Sequence, residues 1–238
     1  MLVAEFFSGS GILSTTFEEK GHKSFTSDIE REYNPDLVKN ILYVSKEDIP
    51  FIPDVMWFSV PCNKFSVASI GSSWTGGKGK YIPKTKETQK ALDILDKSIK
   101  LISEVKPKIW FIENPRGVMR KVIEPIFIKY GITEFYRHTV TYCQYGEERM
   151  KPTDIFSNRQ FKFRPMCKNG DSCHVSAPRG SKTGTQGLKN AYEKSKLPKQ
   201  LCEEIVNMCN DFCLSQNNTQ EDGIPPTNKL VGILPKRL

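Results

Sequence analysis

The sequence predicts an α/β fold built around a parallel sheet, and three observations carry that expectation. Short apolar runs alternate with helix-like stretches through the first half of the chain. The clearest helical stretch is amphipathic, so it packs one face on something and shows the other to water. Residues able to do chemistry fall just past the ends of the apolar runs, the edge at which open α/β sheets bind ligands.

Taken in order, residues 2–7 read as a buried strand and residues 11–20 as a helix. Residues 23–27 read as a second strand followed by a polar stretch, and residues 55–60 as a third that runs into a glycine-rich loop. A helix over residues 87–104 sets Leu92, Leu95, Ile99 and Ile102 on one face, with Lys and Asp on the other. Pro107 stops it, and residues 108–112 form the next strand. After a strand-like segment at 138–142 the pattern gives way to Arg, Lys, Gly and Pro across residues 159–189, a small irregular module. A helix over 198–214 follows. From Ser215 the chain is polar and carries Pro225-Pro226, which reads as a loose extension.

Lys and Arg number 35 against 27 Asp and Glu, and a net charge of +8 favours a polyanionic partner, though a merely soluble basic protein has the same balance. Seven scattered cysteines form no small-scaffold framework, and the first residues read as a strand instead of a signal peptide, so a reducing, intracellular setting is expected. No apolar run is long enough to span a bilayer, which sets membrane insertion aside. Nothing in the sequence identifies a protein partner.

Four features carry chemistry. At the end of the first strand, Phe7-Ser8-Gly9-Ser10-Gly11 makes a glycine turn through which the backbone can approach a ligand; a structural turn or a dinucleotide site would look similar, but Ser14 stands where the dinucleotide fingerprint has its third glycine. Asp28 ends the second strand, placed to accept hydrogen bonds from ribose hydroxyls. Pro61-Cys62 follows the third strand; a lone cysteine is usually an inert small hydrophobe, but this one stands at the ligand edge. Glu113-Asn114-Pro115 follows the next strand and brings a carboxyl group to the same edge.

These motifs, in this order, resemble the cytosine-C5 DNA methyltransferase family, from the N-terminus to about Asn158 with a weaker match over residues 194–205. The resemblance implies a Rossmann-like S-adenosylmethionine-dependent methyltransferase fold with a small irregular recognition module. The implied boundaries are a catalytic domain over 1–158, a target-recognition module over 159–190, a closing helix over 191–214 and a polar tail over 215–238. It implies a DNA (cytosine-5)-methyltransferase whose Cys62 thiolate adds to cytosine C6, with Glu113 holding or protonating N3. S-adenosylmethionine is the implied cofactor: Phe7, Gly9 and Gly11 would surround its methionine part, Asp28 its ribose, and Ile29, Asn40 and Ile41 its adenine. Base flipping into the pocket is implied as well, with the loop over 67–86 as a flap whose Lys78, Lys80 and Lys84 meet the nucleic acid.

The chain departs from the family in places. Where related enzymes have Gln-x-Arg-x-Arg after a Tyr-Gly pair, Tyr145-Gly146 leads to Lys151 and Thr153, so the cation beside Cys62 is expected from Arg149 or Lys151. Asn40 stands where Asp is usual, and Lys194-Ser195-Lys196-Leu197-Pro198 where Gly-Asn is expected. The recognition region is far shorter than usual; its Arg179 and Lys182 are candidate phosphate contacts. Cys143, Cys167, Cys173 and His174 could form a zinc site that braces the module, whereas Cys202, Cys209 and Cys213 lie at helical spacing and belong to a core. Three rival readings stay open: RNA cytosine methylation, a catalytically silent nucleic-acid-binding homologue, and a dinucleotide-dependent oxidoreductase.

Overall fold

Residues 3–6, 55–58 and 109–112 are apolar at nearly every position because both faces of their strands are covered, as happens in parallel sheets. The alternation is visible in the core. Val3, Val55, Trp57, Ile109 and Phe111 point to one side, while Ala4, Phe6, Met56, Phe58, Trp110 and Ile112 point to the other.

The computed structural model describes residues 1–76, 80–168, 170–176 and 191–221. Its strands are β1 (Leu2–Phe6), β2 (Lys23–Asp28), β3 (Leu37–Val38), β4 (Val55–Ser59), β5 (Trp74–Thr75), β6 (Ile82–Pro83), β7 (Ile109–Pro115), β8 (Tyr136–Thr141) and β9 (Pro152–Ser157). Its α-helices are α1 (Ile12–Glu19), α2 (Ile70–Ser73), α3 (Lys86–Val105), α4 (Met119–Lys129), α5 (Ala191–Ser195) and α6 (Lys199–Glu221). The main sheet has the order β3-β2-β1-β4-β7-β9-β8, with α1 and α6 on one face and α3 and α4 on the other. This is a Rossmann-like α/β fold.

The sheet is not wholly parallel, as the sequence suggested. β9 slots between β7 and β8 and runs antiparallel to both. The reason is local: the segment joining β8 to β9 is a short turn without a crossover helix, so β9 returns alongside its predecessor. β1 has β2 on one side and β4 on the other, so the chain's winding reverses there, which opens a crevice at the carboxyl ends of these strands.

The polar stretch after Leu214 does not leave the fold at once. α6 continues to Glu221, since residues 215–221 contain neither Gly nor Pro to stop it. Residues 222–238 lie outside the described residues. Among the described residues no helix is long and apolar enough to cross a membrane.

Candidate active site

The turn after β1 is built under strain. Phe7 has φ of 56°, in the left-handed region that non-glycine residues rarely occupy, and Gly9 and Gly11 follow at 48° and 63°. Three positive φ values in five residues fold the backbone back on itself, and the bonds around them hold it there. Gly9 N–H donates to the Asp28 carboxylate at 2.9 Å, and Ser14 N–H in the first turn of α1 donates to buried Glu5 at 2.9 Å. Burial pushes the Glu5 carboxyl up to about 7; the Ser14 bonds oppose this and the nearby Asp28 charge adds to it.

Beside this turn is a cleft lined by Phe6, Phe7, Ser27, Asp28, Ile29 and Lys39, with Asn40, Ile41, Pro61, Lys90 and Ile94. Five sequence-predicted cofactor residues thus meet in one place: Phe7, Asp28, Ile29, Asn40 and Ile41. Gly9 and Gly11 shape the turn at its edge without lining it. Asp28 has one oxygen on Gly9 N and the other on Glu30 N, which leaves further lone pairs free for hydroxyl groups. Asn40 Oδ1 accepts from Leu42 N–H at 3.0 Å, which fixes the amide and leaves its two N–H donors and one oxygen lone pair for a ligand. The polar groups and apolar walls suit a group with a diol and a flat apolar ring.

The second half of the site begins at β4 and β7, where Ser59 pairs with Glu113 in the parallel register. Pro61 and Cys62 follow two and three residues after Ser59, so the half-buried thiol and the buried Glu113 carboxyl share one sheet edge. Two contacts fix the loop that carries Cys62. Asn114 Nδ2 donates to Val60 O at 2.7 Å, and Val118 N–H donates to Phe65 O at 2.7 Å. Gly117 permits the second, since a Cβ there would lie 2.1 Å from Phe65 O. The nucleophile loop and the Glu-Asn-Pro loop are therefore one packed unit.

Across from Glu113 stands Tyr142, fully buried, whose hydroxyl donates to Glu113 Oε1 at 3.3 Å. Lys151 Nζ donates to that same hydroxyl at 3.4 Å and to Lys194 O at 3.0 Å, and lies over the Tyr142 ring. Burial pushes the Glu113 carboxyl up, and Lys151 and the Tyr142 bond pull it back. Burial pushes Lys151 down, against the pull of Glu113. Cys62 is pushed up by burial and by the Glu113 charge, while Lys151 draws it down. Burial and the Glu113 charge hold the Tyr142 hydroxyl well above the ordinary tyrosine value.

Both expected cations reach this cluster, Lys151 through the Tyr142 hydroxyl and ring and Arg149 with its guanidinium 5.2 Å from the centre of the same ring. Arg149 is turned to a brace: its guanidinium pairs with Glu147 and donates to the carbonyls of Glu193, Lys194 and Lys196, closing the α5–α6 segment over the sheet. Tyr142 was missed from sequence. Its signal was its position at the end of β8, whose direction brings its carboxyl end to the same edge as Glu113.

Residues 67–76 and 80–86 of the expected flap are among those described. β5 and β6 pair as a short hairpin. Trp74 is buried against Phe65 and Tyr81, with its indole N–H on Lys64 O at 2.5 Å. Lys80 is exposed, and Lys84 is exposed although its ammonium donates to Gly71 O at 2.6 Å. Lys78, Arg179 and Lys182 lie outside the described residues. Cys143, Cys167, Cys173 and His174 come together, with their ligand atoms all within 4.8 Å of one another. Cys202 and Cys209 are buried between α6 and the sheet, and Cys213 is half-buried beside Met1.

A protein of Frog virus 3 named "Probable DNA (cytosine-5)-methyltransferase" is 24% identical over 226 residues, covering 88% of this chain and 100% of its own length. Solved structures similar to this chain include the Entamoeba histolytica methyltransferase EhMeth, at 21% identity and TM-score 0.47 over 72% of this chain and 57% of that one. The S. pombe Dnmt2 methyltransferase is similar at 15% identity and TM-score 0.46, over 68% of this chain and 51% of that one. The chain thus spans about half the length of these solved structures and the whole length of the viral relative. The family model described as C-5 cytosine-specific DNA methylase matches residues 1–129, more than half of the sequence, and the chain belongs to that family.

Proposed function

We propose that this chain methylates C5 of cytosine in DNA through a covalent bond between Cys62 and C6 of the target base. The observation that carries the reading is the placement of Cys62 and Glu113 at neighbouring strand ends, beside a cleft that Pro61 also lines. S-adenosylmethionine, when bound in that cleft, supplies the methyl group that C5 accepts. Asp28 would hold its ribose hydroxyls, Ile29 and Ile41 would flank its adenine, and the Asn40 amide N–H groups would donate to a ring nitrogen.

Cytosine C5 is a weak nucleophile until a thiolate adds at C6. Cys62 forms that bond, and the displaced electron pair moves onto N3, where the raised Glu113 carboxyl supplies a proton. C5 then has enamine character and takes the methyl group. Loss of the C5 proton to solvent water forms the C5–C6 double bond, expels the Cys62 thiolate and restores the aromatic ring; Glu113 recovers its proton from N3. Lys151 offsets negative charge near the base and near Cys62, and Tyr142 orients both Glu113 and Lys151. Because C6 is inaccessible inside a duplex, the cytosine swings out of the stack, with the 67–86 hairpin over it and its Lys80 and Lys84 toward phosphate. Lys78, together with Arg179 and Lys182 in a recognition module over 159–190, would extend that contact.

Incubating the protein with labelled S-adenosylmethionine and duplex DNA, single-stranded DNA or transfer RNA, followed by nucleoside analysis, tests the reading. Labelled 5-methylcytosine from duplex DNA, lost in Cys62→Ala, is expected. Product from RNA alone would move the substrate to RNA; no product with cofactor bound would make the chain a silent binding module.

A further inference from the structure

We propose that Cys143, Cys167, Cys173 and His174 bind a structural zinc ion that locks the irregular 159–176 segment onto the turn carrying Tyr142. The four side chains come from three separate places in the chain: the turn after β8, one end of a loop, and the paired residues that close it. Cys143 Sγ is 3.7 Å from Cys173 Sγ, Cys167 Sγ is 3.8 Å from His174 Nδ1, and Cys173 Sγ is 3.6 Å from the same nitrogen. A tetrahedral zinc with bonds of about 2.3 Å to sulfur and about 2.0 Å to nitrogen separates its ligands by roughly 3.5–3.8 Å, so these spacings already fit. Cys143 and Cys167, at 3.1 Å, would open by roughly 0.7 Å to reach the tetrahedral sulfur–sulfur spacing.

The surroundings are those of a ligand set. Gln144 Nε2 donates to Cys173 Sγ at 3.2 Å, which favours a thiolate. Cys167 N–H donates to Thr141 Oγ1 at 3.0 Å, fixing that residue against the end of β8. Ser176 Oγ lies 3.4 Å from His174 Nε2, the outer nitrogen, so Nδ1 is left to face the cluster. Lys168 N–H donates to the Asp171 carboxylate at 2.6 Å, curling the loop so that Cys167 and Cys173 return to one place. Cys143 and Cys167 are buried while Cys173 and His174 are half-buried, which gives the ion an entry side. All seven cysteines are free thiols, so no disulfide does this work instead.

The need is also evident. Residues 159–168 and 170–176 contain no helix or strand, so little backbone pairing holds them to the sheet. Cys143 is the residue after Tyr142, so a metal there would anchor the turn that positions the Glu113–Tyr142–Lys151 cluster.

The test is metal content, which does not depend on any methylation being found. The full chain, expressed in zinc-supplemented medium and purified under reducing conditions without chelators or an immobilised-metal column, is analysed by elemental mass spectrometry. One zinc per chain is expected, falling severalfold in Cys173→Ser and in His174→Ala and unchanged in Cys213→Ser. Cobalt loaded in place of zinc should give the intense visible bands of tetrahedral thiolate coordination, so a variant that fails to fold does not leave the wild-type result ambiguous. Absence of zinc from the wild-type chain, undiminished zinc in both ligand variants, or a Cys143–Cys167 disulfide in the purified protein would overturn the proposal.

Discussion

Glu5 is a buried acid that the proposed chemistry does not use, and it makes the stability of this chain depend on pH in a calculable way. Its carboxyl is pushed from 4.5 to about 7 by burial in β1. Between those values the folded chain holds a proton that the unfolded chain has released, so stability from this group is full below the lower value. It is lost as pH rises to about 7 and is flat beyond it. Applying the linkage relation between about pH 5.5 and about pH 7.5 gives a loss of about 2 kcal/mol from Glu5 alone. Glu5→Gln removes the titration while keeping an oxygen for Ser14 N–H, and its new amide N–H can use Ser14 Oγ. Urea unfolding of both proteins at the two pH values isolates the effect, because every other titrating group is common to both. The stability difference, variant minus wild type, should grow by about 2 kcal/mol on going to the higher pH. A difference that stays constant, or shrinks, would mean that Glu5 is ionised in the folded chain and that the burial argument is wrong.

Other consequences follow from the site. Lys151 draws the Cys62 thiol down against burial and the Glu113 charge, so Lys151→Met should move the rising limb of the pH–rate profile to higher pH, and an unmoved limb would remove Lys151 from the chemistry. In the wild type, kcat/KM should climb with pH above neutrality as the raised Cys62 thiol ionises; a profile flat from neutral to alkaline pH would say that the thiolate is already formed. Gly117→Ala forces Phe65 away and with it the Cys62 loop, so kcat should fall about a hundredfold while calorimetric S-adenosylmethionine affinity holds. Unchanged turnover there would uncouple the two loops.

Much of the architecture was legible because strands buried on both faces and an amphipathic helix leave strong patterns. The 87–104 helix is α3, one residue longer at each end, and the strand ends at Phe7, Asp28, Val60 and Glu113 are where the ligand edge lies. α4 escaped notice because Pro125 interrupts its pattern. β9 did too, since its place between β7 and β8 follows from tertiary pairing, and Asp154 and Ser157 dilute the apolar signal within it. Within the site, the cofactor cleft could be read because its residues follow strand ends in sequence. The division of labour between Arg149 and Lys151 could not, because it depends on where the carbonyls of residues 193–196 fall, some forty residues away in the chain. Trp74 and Tyr81 were hidden in a stretch whose glycines and serines suggested a loop, although two aromatics at its ends give the hairpin its small core.

The covalent role of Cys62 is most directly tested with duplex DNA in which the target cytosine carries fluorine at C5. After thiolate addition and methyl transfer there is no C5 proton to lose, so the Cys62–C6 bond cannot break. A complex that survives denaturation, forms only when S-adenosylmethionine is present, and yields a modified Cys62 peptide on digestion is the result expected. Ready formation of 5-methylcytosine on normal DNA together with no trapped complex, or with the adduct on a different cysteine, would contradict the mechanism.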